Sequence, residues 1–174
     1  MRKKQTCFVI GHRELDEDQL PLIRNALLKK ILELHFDGAM CFKLCVLPGF
    51  SLLAAQAVLK CKEMCPSIRL CLVLPCQEYA GEWCTGRFEG WSDILSRADK
   101  LIFAQRSFHP YSTKNNMATC IGRVATRCHF FLCYLEESHG VTYAAFKKAY
   151  YKRRHIINLS PTMQNPFCFP NSRI

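Results

Sequence analysis

The sequence predicts an α/β fold, a three-layer sandwich with a mostly parallel central sheet. Two observations predict it. Short, nearly continuous apolar runs alternate with longer amphipathic segments, as strands covered on both faces and joined by crossover helices require. Twice, the break after an apolar run centres on glycine, at Gly11-His12-Arg13 and at Ser138-His139-Gly140-Val141-Thr142, where a parallel sheet places its ligand loops. At 174 residues and 49% hydrophobic, the chain buries a core without metal or disulfide staples. Residues 1–160 are assigned to one domain. Residues 161–174, with Pro161, Pro166 and Pro170, form an extended tail.

Thr6 to Ile10 reads as the first strand. Asp16 and Asp18 precede Leu20, Ile23, Leu27, Ile31 and Leu34, a helical spacing with an acidic first turn that runs to about His35 before Gly38. Ala39 to Leu47 is the second strand despite Lys43, and Pro48-Gly49-Phe50 breaks it. Ser51 can cap a helix that runs to about Met64 and is stopped by Pro66. Ile68 to Leu74 is the clearest buried strand. Cys76 to Gly90 reads as a loop with a short helical piece near Trp83, followed by a helix over 91–97 and a strand over 101–104. After an excursion from Arg106 to Asn116, a helix to about Thr126 has modest propensity because of Thr119, Gly122 and Val124. Cys128 to Leu135 is a further strand. Thr142 can cap a helix over 143–151, and Ile156 to Leu159 ends the sheet.

Charge and cysteine content restrict the functional classes. Twenty-four basic against 14 acidic side chains give a formal charge of +10, which favours an anionic partner. The excess sits in short clusters, Arg2-Lys3-Lys4, Lys147-Lys148 and Lys152-Arg153-Arg154, without a long tract. No stretch is long enough to span a bilayer. The start is basic with a brief apolar run, which predicts no secretory leader. Of 12 cysteines, Cys7, Cys41, Cys45, Cys71, Cys128 and Cys133 lie in apolar runs and read as small hydrophobes in a reducing cytoplasm. The pairs Cys41/Cys45 and Cys61/Cys65 lack a CxxC repeat and a following histidine, so no metal site is assigned.

Gly11 lets the backbone turn or approach a ligand. His12 offers a hydrogen bond or proton transfer, and Arg13 a forked donor for phosphate unless Asp16 or Glu17 pairs with it. Gly140 permits an unusual turn, and the Thr142 hydroxyl can cap or meet an anion. Glu136 and Glu137 would repel that anion unless they point away. Gln77 and Trp83, just past the third strand, can read an amide and stack on a ring. Lys114 and Asn115 can meet phosphate or ribose. Neither a P-loop nor GxGxxG occurs. No local motif ties a thiol to an imidazole, so no catalytic residue is assigned and no cofactor is called for.

Together, Cys7-Phe8-Val9-Ile10-Gly11-His12-Arg13, Gln77 through Trp83, Ala98-Asp99, Lys114-Asn115-Asn116-Met117 and Gly140-Val141-Thr142-Tyr143-Ala144 resemble the bacterial SLOG superfamily, in particular its small single-domain, YpsA-like branch. The resemblance spans roughly residues 6–159. It implies a Rossmann-like fold that binds nucleotides, nucleotide derivatives or nucleic acid with glycine-rich loops at the sheet edge, as in the DNA-processing protein of natural transformation and the cytokinin-activating phosphoribohydrolases. Gly11, His12 and Arg13 match the opening GHR, Gln77 and Trp83 the glutamine and tryptophan after the third strand, and Asn115 the asparagine of an Arg-Asn pair in which Lys114 replaces arginine. Where relatives carry a Gly-Gly-Ala-Leu-Gly-like turn and an aspartate, this chain reads Val46-Leu47-Pro48-Gly49-Phe50-Ser51. Gly49 alone remains of the turn, and Ser51 takes the aspartate position. A Gly-Gly-Thr phosphate loop becomes Gly140-Val141-Thr142, in which a β-branched Val141 would strain a positive φ.

The expectation is a cytoplasmic protein whose partner is a phosphate-bearing nucleotide or related small molecule, met by Gly11, His12, Arg13, Gly49, Ser51, Gln77, Trp83, Lys114, Asn115, Gly140 and Thr142. Alternatives are a nucleic-acid-associated protein using Lys147, Lys148, Lys152, Arg153 and Arg154, and an N-glycosidic hydrolase acting on nucleotides. Self-association is a further expectation.

Overall fold

The computed structural model describes residues 4–75, 90–103 and 113–163, the side chains of 113–116 excepted. Gln77, Trp83 and the short helix expected beside Trp83 lie outside the described residues. So do most of the excursion after the fourth strand and the tail from 164 onward.

Six strands form one all-parallel sheet: β1 (Gln5–Gly11), β2 (Ala39–Cys45), β3 (Arg69–Leu74), β4 (Lys100–Phe103), β5 (Phe130–Tyr134) and β6 (His155–Asn158). Among the described residues, five α-helices join them: α1 (Leu20–Phe36), α2 (Phe50–Met64), α3 (Trp91–Arg97), α4 (Thr113–Arg127) and α5 (Gly140–Tyr151). The expected α/β sandwich is therefore present, with a fully parallel sheet.

The strands lie in the order β4-β3-β2-β1-β5-β6. The chain winds outward from β1 to β4 and then returns to the far side of β1 at β5. Because crossovers are right-handed, this reversal sends the later helices to the opposite face. The period-2 alternation of each strand records the result. Cys7, Val9, Phe42, Leu44, Leu70 and Leu72 pack with α1, α2 and α3. Phe8, Ile10, Cys45, Val73, Phe131 and Cys133 pack with Met117, Cys120 and Ile121 of α4 and Ala145 and Phe146 of α5. Leu27 and Ile31 of α1 are fully buried, each stabilising the fold by about 1.5–3 kcal/mol through loss of apolar surface to water.

Local signals account for most element ends. Asp16 caps a short 3-10 turn at Glu17–Gln19 by accepting from the Asp18 N–H at 3.2 Å, and α1 follows with Pro21 in its first turn. The first helix therefore begins in two steps. Ser51 and Thr142 do not cap. The N-caps are Gly49 and His139, and both hydroxyl residues lie inside the first helical turn and are buried.

Candidate functional site

Between β1 and β5, where the winding reverses, neighbouring loops diverge to opposite faces of the sheet. Such a switch point leaves a crevice beyond the carboxyl ends of the strands. A cavity of about 200 Å³ occupies it, lined by Ile10, Gly11, His12, Arg13, Leu47, Glu137, His139, Gly140, Val141 and Thr142. The two glycine-centred breaks, 127 residues apart at their start and more in places, are thus walls of one cleft; Gly11, His12, Arg13, Gly140 and Thr142 meet there.

The floor is set by close backbone contact. A Cβ on Gly11 would lie 2.4 Å from the Phe50 ring, so glycine here admits the first residue of α2, whose ring stacks on Tyr134 at 5.5 Å. Gly49 has φ +73, and a Cβ there would lie 2.0 Å from the Arg13 carbonyl oxygen. The Phe50 N–H donates to the His12 carbonyl at 3.0 Å. Gly49 therefore shapes the site from beneath, by seating the β2–α2 turn on the His12-Arg13 backbone.

His12 joins the two walls. Its Nε2 accepts from the Glu136 backbone N–H at 2.9 Å, which assigns the proton of the neutral ring to Nδ1. The Glu136 carboxylate is engaged elsewhere: one oxygen lies 2.9 Å from the Tyr134 hydroxyl, 3.2 Å from Ser160 Oγ and 3.3 Å from Thr162 Oγ1. Burial, followed by the bond to this carboxylate, pushes the Tyr134 hydroxyl up to about 12. Glu137 stays on the cavity wall, paired with His139 Nε2 at 3.0 Å. Arg13 is exposed and has no ion pair among the described residues, so pairing with Asp16 or Glu17 is not observed.

Opposite His12, α5 starts at Gly140 rather than at Tyr143. Gly140 has φ +80 with open space around it, and the His139 N-cap offers no side-chain acceptor. The first-turn amides thus lack a side-chain cap at the cavity wall, and they carry the positive end of the helix dipole. The strain expected at Val141 is absent, because the positive φ falls on Gly140 and Val141 is an exposed first-turn residue.

Other predicted residues are placed differently. Ser51 is fully buried, its Oγ has no hydrogen-bond partner among the described residues, and it does not line the cavity. Lys114 and Asn115 lie in the first turn of α4, which the parallel topology sets at the same sheet edge. The cationic cluster near the C-terminal end of α5 is partly structural: Arg154 donates to the Thr126 carbonyl at 2.5 Å, Lys147 lies 4.9 Å from the centre of the Tyr143 ring, and Lys148 packs over Gly122. Lys152 and Arg153 are exposed. Sequence reading missed Ile10 and Leu47 as cavity walls, and it placed His139 and Val141 in the break around Gly140, with Glu137 beside it, without giving them a binding role.

Among the described residues, no group of three or more His, Cys, Asp or Glu side chains is placed to hold a metal ion. No described helix is long and apolar enough to cross a membrane. No protein-family model matches the chain, and no curated protein matches it.

Proposed function

We propose that the chain binds a phosphate-bearing nucleotide or nucleotide-derived metabolite in the β1–β5 cleft. The observation that carries this reading is the convergence of Arg13 and the uncapped first turn of α5 on one cavity at the topological switch point. Arg13 supplies a forked cationic donor, the amides at 140–142 and the Thr142 hydroxyl supply further donors, and His12 contributes its Nδ1–H. Engagement of Glu136 by three hydroxyls supports the reading, since it occupies a carboxylate that would otherwise repel an anion. The Glu137–His139 pair tempers the remaining negative charge when His139 is protonated. A volume near 200 Å³ suits a phosphate and part of a sugar, with the base outside the cavity. The SLOG-like order of motifs points the same way.

Calorimetry against nucleotides, nucleotide sugars and cyclic dinucleotides tests the proposal. At least one is expected to bind, with Arg13→Ala weakening it about tenfold or more, the loss of a charge-assisted hydrogen bond. No binding across the panel, together with no effect of Arg13→Ala, would remove the proposal.

A further inference from the structure

Two cysteines read from sequence as core hydrophobes have a different environment. Cys41 on β2 is half-buried, and its Sγ lies 2.9 Å from Cys71 Sγ on β3. Parallel register explains the environment. Thr6, Cys41 and Arg69 are ladder partners in one cross-strand row, and Lys43, Cys71 and Lys100 in the next. Ladder partners share a face about 5 Å apart, so Cys71 stands between two ammonium-bearing side chains. Asp99 is the nearby acid, and it is already paired with Lys62 at 2.7 Å and Arg69 at 2.8 Å. Cys41 also lines a second cavity, of about 310 Å³, with Lys4, Gln5, Thr6, Met40, Ser67 and Arg69. This cavity opens at the amino ends of the strands, on the opposite edge of the sheet from the β1–β5 cleft.

We propose that Cys41 and Cys71 form a redox-active dithiol that reduces a low-molecular-weight anionic disulfide entering the Lys4–Arg69 cavity. The shared S–H···S bond makes the first thiol proton of the pair easier to lose and the second harder, with Lys43 and Lys100 favouring the charged pair against burial and the nearby Asp99 carboxylate. The reactive form of the pair carries one proton and one negative charge. In the form with the shared proton on Cys71, the Cys41 thiolate, which lines the cavity, attacks the incoming disulfide RSSR. One RS⁻ leaves, and Cys41 holds the other half as a mixed disulfide. Cys71 then attacks the Cys41 sulfur, the second RS⁻ leaves with the Cys71 proton, and a Cys41–Cys71 disulfide forms. Two electrons pass from the dithiol to RSSR, and the first RS⁻ takes its proton from solvent to give two RSH in all. The sulfurs have under 1 Å to close to reach a bond of about 2.05 Å.

The experiment exposes the full-length reduced protein to glutathione disulfide or to cationic cystamine, then maps cysteines by differential alkylation and peptide mass. The expected result is a linked Cys41–Cys71 peptide before any other pairing, forming about tenfold faster with glutathione disulfide than with cystamine at low salt. Cys71→Ser should trap glutathione on Cys41, because the resolving sulfur is gone. Recovery of Cys41 and Cys71 as free thiols after exposure, or a link that forms no faster than other pairings, would overturn the dithiol. Equal rates for the two disulfides would overturn the anionic preference. Should Cys71→Ser fail to fold, mapping of the unsubstituted protein decides alone.

Discussion

Glycine at three positions does three different jobs, and the differences are measurable. At Gly49 both the positive φ and the Arg13 carbonyl at 2.0 Å from a Cβ exclude a side chain. Gly49→Ala should therefore cost more than the ~1–3 kcal/mol of backbone strain alone, read as a drop in the urea midpoint. Gly140 has the same kind of φ with nothing near it, so Gly140→Ala should cost only about 1 kcal/mol of strain. Ser51 gives the opposite sign. Its buried Oγ is unpartnered among the described residues, so Ser51→Ala should leave stability unchanged or raised, and should leave ligand affinity unchanged. A weaker affinity in that variant would place Ser51 in the site after all. The need for glycine was legible at Gly140, beside a helix start. At Gly11 the need was hidden, because the Phe50 ring it admits belongs to the start of α2, 39 positions later. The Cys41–Cys71 contact was hidden for the same reason, since it depends on strand register.

Alternation and capping made the elements legible. Helix α3 was expected at 91–97 and is found there, and every described strand was anticipated to within a few residues. Boundaries moved at the two expected hydroxyl caps: Ser51 and Thr142 both sit within the first turn of helices that start on glycine-controlled turns. One acid ties several elements together. Asp99, preceding β4, accepts from Lys62 of α2, from Arg69 and from the Leu70 N–H of β3 at 2.7–2.8 Å. Burial acts to raise its pKa, but these donors outweigh burial and hold it at about 2, below the ordinary 3.8. A depressed acid stabilises the fold above its unfolded value and loses that contribution as pH falls through the folded one. Stability should therefore fall as pH drops from 3.8 toward about 2. Asp99→Asn should flatten that part of the profile and lower the denaturation midpoint near neutral pH.

At the scale of the molecule, the two faces and a mostly parallel sheet were readable from alternation, whereas the fully parallel pairing and the strand order were not. That order brings residues 11–13 to residues 137–142 by placing β1 against β5. The basic clusters offer a competing use, nucleic-acid binding, which would weaken steeply with salt because phosphate contacts release counterions. With Arg154 bonded to the Thr126 carbonyl and Lys147 set over the Tyr143 ring, a salt titration should show weak DNA and RNA binding near physiological salt. Strong, steeply salt-dependent binding lost on changing Lys152 and Arg153 would favour that use instead. The most direct measurement of the central claim is a crystal structure of the chain with the tightest ligand from the calorimetric panel. The expected result is a phosphate ordered between Arg13 and the amides of Gly140 to Thr142. A ligand ordered elsewhere on the molecule, with that cleft empty, would contradict it.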